Sequence, residues 1–358
     1  MLDQDDLDAA VAEGIVTRAQ ADALCEFSAK RKARNVAVHA DEERFRFMRG
    51  FNDFFFAVGI VLLGSGLTYF ASAENVLSNI AAAGLIWALA ELLVGRMRLV
   101  LPGILLAALF TFFALRAAPS VDLLGGIADA RPAVVTRPTT SILLGTADGS
   151  GLAFKAIAAA ALTLVFYVRF RLPFALLLVA ASLVIAVEAI AFRLLAFTPI
   201  VASLVTLGCG LAVFATAMRF DLSDRDRVTR RADCAFWLHL LASPLIVHSL
   251  ILMLAPNMKE MTSNGALTVV AIAAVLTLVA ILIDRRALLV SALAYLGAVI
   301  GYAITGTATD KTAIFFATLV ILGVLVLTIG VAWFPLRRSL VRLLPPVLIN
   351  RLPSTVPA

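Results

Sequence analysis

The sequence predicts an all-α fold: a polytopic transmembrane helix bundle of about ten spans, N-in/C-in, preceded by a small cytoplasmic N-terminal helical hairpin. Three observations carry that prediction. Of 358 residues, 61% are hydrophobic and only 15% charged, against about 45–50% and about 25% in ordinary soluble domains. Mean hydropathy is +0.98. Apolar runs of the roughly 20 residues needed to cross about 30 Å of hydrocarbon recur from Asn52 to Phe334. Tight arginine pairs separate them, at Arg96 and Arg98, Arg169 and Arg171, and Arg285 and Arg286, as expected of short cytoplasmic turns that retain positive charge on the inner side.

In chain order, residues 1–34 read as the hairpin. Asp3, Asp5 and Asp6 place acidic charge at a helix N-terminus, Leu7, Ala10 and Val11 form its apolar side, and Gly14 stops it. Thr17 and Gln20 then form a T-x-x-Q capping box, Val16 is placed to staple onto Ala21, and Leu24 and Phe27 extend the apolar face of a second helix. A unit this small does not usually stabilise itself, so it is expected to dock on its own bundle, on a second copy, or on a protein partner. The first residues lack the apolar region of a cleavable signal, so the first span is expected to target the chain.

Residues 35–51 form a basic juxtamembrane linker. Together with Lys30, Arg31, Lys32 and Arg34, its Arg44, Arg46 and Arg49 favour anionic lipid at the inner surface by about 1 kcal/mol each. The transmembrane bundle follows over 52–334, with spans expected at 52–71, 77–95, 99–117, 152–168, 172–191, 195–217, 235–255, 265–283, 287–305 and 313–334. With the N-terminus inside, 23 of the 30 Lys and Arg fall on the cytoplasmic side. A basic tail over 335–358, carrying Arg337, Arg338, Arg342 and Arg351, then also lies inside. Tyr167, Trp237 and Trp333 fall at expected inner boundaries and Tyr69 and Tyr302 near outer ones, whereas Trp87 falls mid-span. The outer loop 118–151 is the longest connection, and the Arg- and Asp-rich segment 218–234 reads as a solvated cytoplasmic loop.

The stretch LDAAVAEGIVTRAQADALCEF (Leu7 to Phe27), the basic linker, and GIVLLGSGLTYFASAEN (Gly59 to Asn75) resemble the bacterial membrane proteins of "domain of unknown function 2157". Those proteins carry a hairpin with a Gly-Ile/Val turn and a Gln- or Glu-capped second helix. A Gly-rich first span follows, ending in an Ala-Asn-Trp turn; here Val76 stands in place of the Trp. The resemblance covers about the first quarter of the chain. It implies a multi-pass protein of the bacterial inner membrane and brings no activity or catalytic residue with it.

Ionisable residues inside spans are the candidate functional groups, because burying them in hydrocarbon is costly. Glu91 lies near the inner end of the second span, with Arg98 seven residues on and nearly on its face. Glu188 lies near the outer end of the fifth, with Arg193 beyond it. The seventh holds His239, Pro244 and His248. Nine residues at 100° each set its two histidines on opposite faces, which argues against a shared metal, and Pro244 is expected to kink the helix. Glu188 and His248, both in outer halves, form the polar pair to look for.

Gly297 and Gly301 form a GxxxG packing motif in the ninth span, and Gly59, Gly64 and Gly66 a similar set in the first. RMRLVLP from Arg96 and RFRLP from Arg169 share R-x-R-L ahead of a proline. That likeness reads as convergent inner turns or as an internal repeat of the transporter kind. Cys25, Cys209 and Cys234 have neither metal nor redox spacing. The net charge of +6 is dispersed over turns, which argues against nucleic acid as a partner. No cofactor motif and no catalytic constellation is legible, so the sequence points away from an enzyme. It points to a non-enzymatic scaffold or accessory membrane component, with a small-solute or ion transporter having its site near Glu188 and His248 as the alternative.

Overall fold

The computed structural model describes residues 11–27, 51–71, 75–123, 151–195, 198–224, 229–254, 263–305 and 311–343. Among them the helices of the bundle are α1 (Phe51–Phe70), α2 (Val76–Ala90), α3 (Val100–Ala117), α4 (Leu152–Phe170), α5 (Pro173–Leu194), α6 (Pro199–Ser223), α7 (Arg230–Leu254), α8 (Ser263–Ile283), α9 (Leu289–Thr305) and α10 (Lys311–Arg342). A π-helical turn, Glu91–Arg96, continues α2, and a 3₁₀ turn, Arg286–Leu288, leads into α9. Among the described residues, nine helices are long and apolar enough to cross a membrane. The remaining one, α9, is apolar but has only 17 residues. The molecule is a transmembrane helix bundle.

Ahead of the bundle, residues 18–27 are helical and the capping box is reciprocal. The Gln20 N–H donates to Thr17 Oγ1 at 3.3 Å, and the Thr17 N–H donates to Gln20 Oε1 at 2.9 Å. Gly14 takes φ +71, which closes the preceding turn without a Cβ penalty. Residues 1–10, the basic cluster at 30–49, most of the 118–151 loop and the tail beyond 343 lie outside the described residues.

Two expected boundaries are corrected. The described parts of 218–234 are helical rather than a solvated loop: α6 runs on to Ser223, α7 begins at Arg230, and Asp221 and Asp224 are 4% and 9% exposed, while 225–228 lie outside the described residues. A run of mixed charge reads as solvated in one dimension, but here Asp221 meets cationic and polar partners on other helices. The span expected to stop at Phe334 instead continues through Pro335 to Arg342, so the segment beyond 335 begins as helix. Proline removes one backbone bond and crowds the carbonyl four residues back. The helix persists because Trp333 and Arg337, on either side of it, are anchored in the bundle.

The arginine turns have a shared backbone logic. Arg98, Arg171 and Asp284 adopt φ of 57°, 50° and 56°, the left-handed conformation that reverses a chain at a helix C-terminus. After α8 the pattern is a Schellman motif, the Arg285 N–H reaching Ala280 O at 2.9 Å and the Asp284 N–H reaching Ile281 O at 3.3 Å. In the two R-x-R-L segments the second arginine is left-handed and the following leucine, Leu99 or Leu172, is extended and buried in one core. The sequence likeness is therefore matched by a likeness of conformation.

Among the described residues the bundle holds five apolar clusters, three of them larger than the others. The first joins α1–α4 to the start of α5 around Ile86, Leu106, Phe113 and Phe166. Trp87 belongs to it, with ring centroids 5.3–5.6 Å from Phe110, Phe166 and Phe170, so its mid-span position serves packing rather than an interfacial belt. The second joins α5, α6 and α7 through Val184, Val213, Leu238 and Ile246. The third joins the end of α8, the 3₁₀ turn, α9 and α10 around Ile281, Leu288 and Trp333.

Small residues act unevenly in that packing. A Cβ at Gly210 of α6 would stand 2.9 Å from Ile246 Cγ1 and 3.1 Å from its backbone nitrogen, marking the tightest α6–α7 approach. Gly297 and Gly301 turn toward Leu322 and Thr318 of α10, but at an ordinary 3.6 Å each. In α1, Gly64 faces Leu109 while Gly59 and Gly66 open onto space.

Candidate functional site

Polar groups of the bundle form two tiers, a buried one at the end that carries the arginine turns and one toward the opposite end in which Glu188 and Tyr295 are half-buried and His248 is exposed. At the arginine end, α6 brings Asp221, α7 brings His239, and the turn after α8 brings Arg285. The Arg285 guanidinium donates from Nε to Asp221 Oδ2 at 3.2 Å, from Nη2 to Asp221 Oδ1, and from Nη2 to Ala232 O at 3.3 Å. His239 Nε2 lies 2.9 Å from Asp221 Oδ2 and is the donor when that carboxylate is ionised beside the guanidinium. Arg285, Asp221 and His239 are 2%, 4% and 0% exposed.

A second layer extends this tier to α10. The Trp333 Nε1–H donates to Asp284 Oδ1 at 2.8 Å, and Arg337 Nη1 stands 4.0 Å from Asp284 Oδ2. The Arg286 guanidinium lies over the Trp333 and Phe334 rings, at 5.3 and 5.8 Å from their centroids. Ser243 Oγ of α7 donates to Leu288 O at 2.7 Å. The Arg285–Arg286 pair is thus not a simple headgroup anchor in the folded protein: one member closes a buried carboxylate and the other stacks on aromatics.

Glu91 also belongs to the arginine end, with a different partner from the one its spacing implied. Arg169 Nη2 of α4 donates to Glu91 Oε2 at 2.5 Å. Arg98 is removed from the helical face because α2 ends in the π turn and Arg98 itself is left-handed. The 2.5 Å pair is half-exposed, at 53% and 36%.

The second tier gathers Glu188 of α5, Thr206 and Cys209 of α6, His248 of α7 and Tyr295 of α9. Thr206 Oγ1 donates to a Glu188 carboxyl oxygen at 2.9 Å. Hydroxyls on Thr216, Thr277 and Ser249 bond back to the carbonyl four residues earlier in their own helices, whereas the Thr206 hydroxyl donates to a carboxyl group on another helix. His248 Nδ1 hydrogen-bonds the Tyr295 hydroxyl. Glu188 and His248 share no hydrogen bond, but each lies within electrostatic reach of the other, and Cys209 lies within reach of Glu188. Arg193, next along α5, pairs instead with Asp122 at 3.0 Å.

The two histidines of α7 therefore reach different helices, and no group of three or more metal-ligating side chains is found among the described residues. Glu188, His248 and Glu91 stand out in the sequence as candidates, whereas Asp221 does not, and Arg285 reads there only as an arginine of a short inner turn. The available signal was an aspartate one turn beyond an apolar run, opposite a histidine in the following span.

Many apolar helices joined by interhelical polar contacts define an integral membrane protein of the helical-bundle class. No family model, no curated protein and no solved structure matches the chain.

Proposed function

We propose that the chain is a non-enzymatic scaffold or accessory component of the bacterial inner membrane, with both termini in the cytoplasm and the 1–34 hairpin as its docking element. The observation that carries this reading is that its charged side chains are used to tie helix to helix. Asp221 joins Arg285, Glu91 joins Arg169, and Asp122 joins Arg193. Such bonds fix a frame, whereas catalysis needs groups left available to a reacting atom. The likeness of residues 7–27 and 59–75 to the domain-of-unknown-function-2157 proteins supports the bacterial placement, and the basic linker supports contact with anionic lipid.

Deleting residues 1–34 is expected to remove a co-purifying protein, or self-association, while leaving the spans inserted. An unchanged partner profile and oligomeric state would end the docking role.

One observation favours a second reading, a small-solute or ion transporter. Glu188, half-buried, and His248, exposed on the surface of the bundle, are ionisable groups at membrane depth, and neither is held by a Lys or Arg ion pair among the described residues. Proteoliposomes should then show solute or ion flux that Glu188→Gln abolishes and Glu91→Gln leaves intact.

A further inference from the structure

We infer that Glu188 and His248 form a proton-binding site in the half of the bundle opposite the arginine turns, with Thr206 and Tyr295 as the hydroxyls that accommodate its protonation states. Binding does not depend on flux; that the bound proton is carried across the membrane rests on the transporter reading above.

Depth comes first. Glu188 lies six residues from the end of α5, His248 six from the end of α7, and Thr206 seven from the start of α6. At 1.5 Å per residue all three lie about 9–11 Å in from the same end. An ionisable pair at one depth on two helices that pack together, α5 and α7, is poorly explained by snorkelling, which carries a side chain outward along its own helix.

The partners distinguish this tier from the other. Asp221 is held by Arg285, and a guanidinium does not release its proton in a protein. That cluster keeps its charge. Around Glu188 and His248 the hydrogen-bonding groups are hydroxyls, which donate or accept as needed. With His248 neutral and Nδ1 bare, the Tyr295 O–H donates to it; with the ring an imidazolium, Nδ1–H donates to the Tyr295 oxygen. No partner has to be abandoned when the proton arrives or leaves.

The proton balance is simple. The loaded state holds one proton, either as carboxylic acid beside a neutral ring or as carboxylate beside an imidazolium. Its loss leaves carboxylate and neutral ring.

The surrounding charges permit this. Cys209 of α6 and Tyr295 of α9 are the other titratable groups at the site. Arg116 of α3 and Lys155 of α4, on the other helices packed against α5, sit in terminal turns near the bundle end. Arg193 is engaged by Asp122. Helix α8, packed on α7, contains no charged residue between Ser263 and Ile283.

The test is infrared difference titration of the full-length protein in phosphatidylcholine–phosphatidylglycerol vesicles, following the carboxylic C=O stretch. The expected result is a band that fades as pH rises and is absent in Glu188→Gln. Its midpoint should move by roughly one pH unit in His248→Phe. If Glu188→Gln does not accumulate, Tyr295→Phe keeps the aromatic packing while removing the amphoteric hydroxyl, and should also move the midpoint. A band unchanged in Glu188→Gln, or a midpoint unmoved in both His248→Phe and Tyr295→Phe, would overturn the assignment. So would a band that answers Na⁺ at fixed pH, since the site would then be a metal-cation site. Vesicles loaded with a pH-sensitive dye separate the two ideas: an intact titrating band without proton flux upholds the site and removes the transporter reading.

Discussion

Arg285 shows at the residue scale how one side chain can serve two stages of a membrane protein's life. During insertion it counts as positive charge in a short turn. After folding it is 2% exposed and closes on Asp221. Breaking such a buried pair leaves the surviving charge unpaired, which costs about 3–5 kcal/mol, whereas replacing both partners by apolar groups is far milder. Asp221→Asn or Arg285→Met alone is therefore expected to lower the unfolding midpoint of the detergent-purified protein sharply, and the double variant Asp221→Leu, Arg285→Met less than either. A double loss equal to the sum of the singles would show that the two residues are not coupled. Glu91→Gln makes the control: the half-exposed pair with Arg169 should contribute no more than about 1 kcal/mol. Sequence reading found Glu91 because a carboxylate inside an apolar run stands out. It missed Asp221 because a neighbourhood of alternating charge hides one member that turns inward, and its partner lies 64 residues away.

Span positions are the part of the elements most legible in the sequence, since hydrocarbon thickness sets a length that composition must match. Where the structure departs, the cause is tertiary. α6 and α7 extend into a charged segment from either side because Asp221 finds partners, and α10 passes Pro335 because Asp284 accepts from Trp333. Trp333→Phe keeps an aromatic face for Arg286 but removes that donor; a loss of about 1–3 kcal/mol is expected, together with proteolytic cutting after Arg337 or Arg338. Unchanged protease resistance would mean that α10 is held without it.

Glycine motifs are less legible, because GxxxG records opportunity rather than contact. The tight approach is at Gly210. Gly210→Leu should therefore cost about 1–3 kcal/mol through overpacking against Ile246, while Gly66→Leu, whose Cβ meets nothing within 4 Å, should be near neutral. Equal melting shifts for the two would refute the assigned α6–α7 crossing.

For the whole molecule, the packed interior and the insertion signal have to be read separately. The folded structure engages Arg285, Arg169 and Arg337 in ion pairs at one end, and Arg193 at the other. With those four set aside the expected division is 20 Lys and Arg against 6, so the bias survives folding. More to the point, orientation is fixed as spans enter the bilayer, before Arg285 can meet Asp221, so the full 23 against 7 is the relevant comparison. The contacts agree that the arginine turns share one end: Glu91 of the π turn reaches Arg169, Tyr167 lies 3.7 Å from Cys234, and Phe174 packs on Trp237. The positive-inside rule then expects that one end to be cytoplasmic, which sets the orientation. In a variant whose three cysteines are replaced by serine, single cysteines at exposed Leu123 and Leu343 should behave oppositely in spheroplasts. A membrane-impermeant maleimide should label position 123 directly and position 343 only after permeabilisation. Labelling of both from outside would mean an even number of crossings between them, in place of the seven helices α4–α10. Direct labelling of 343 alone would invert the bundle and place the Asp221–Arg285 tier on the outer face.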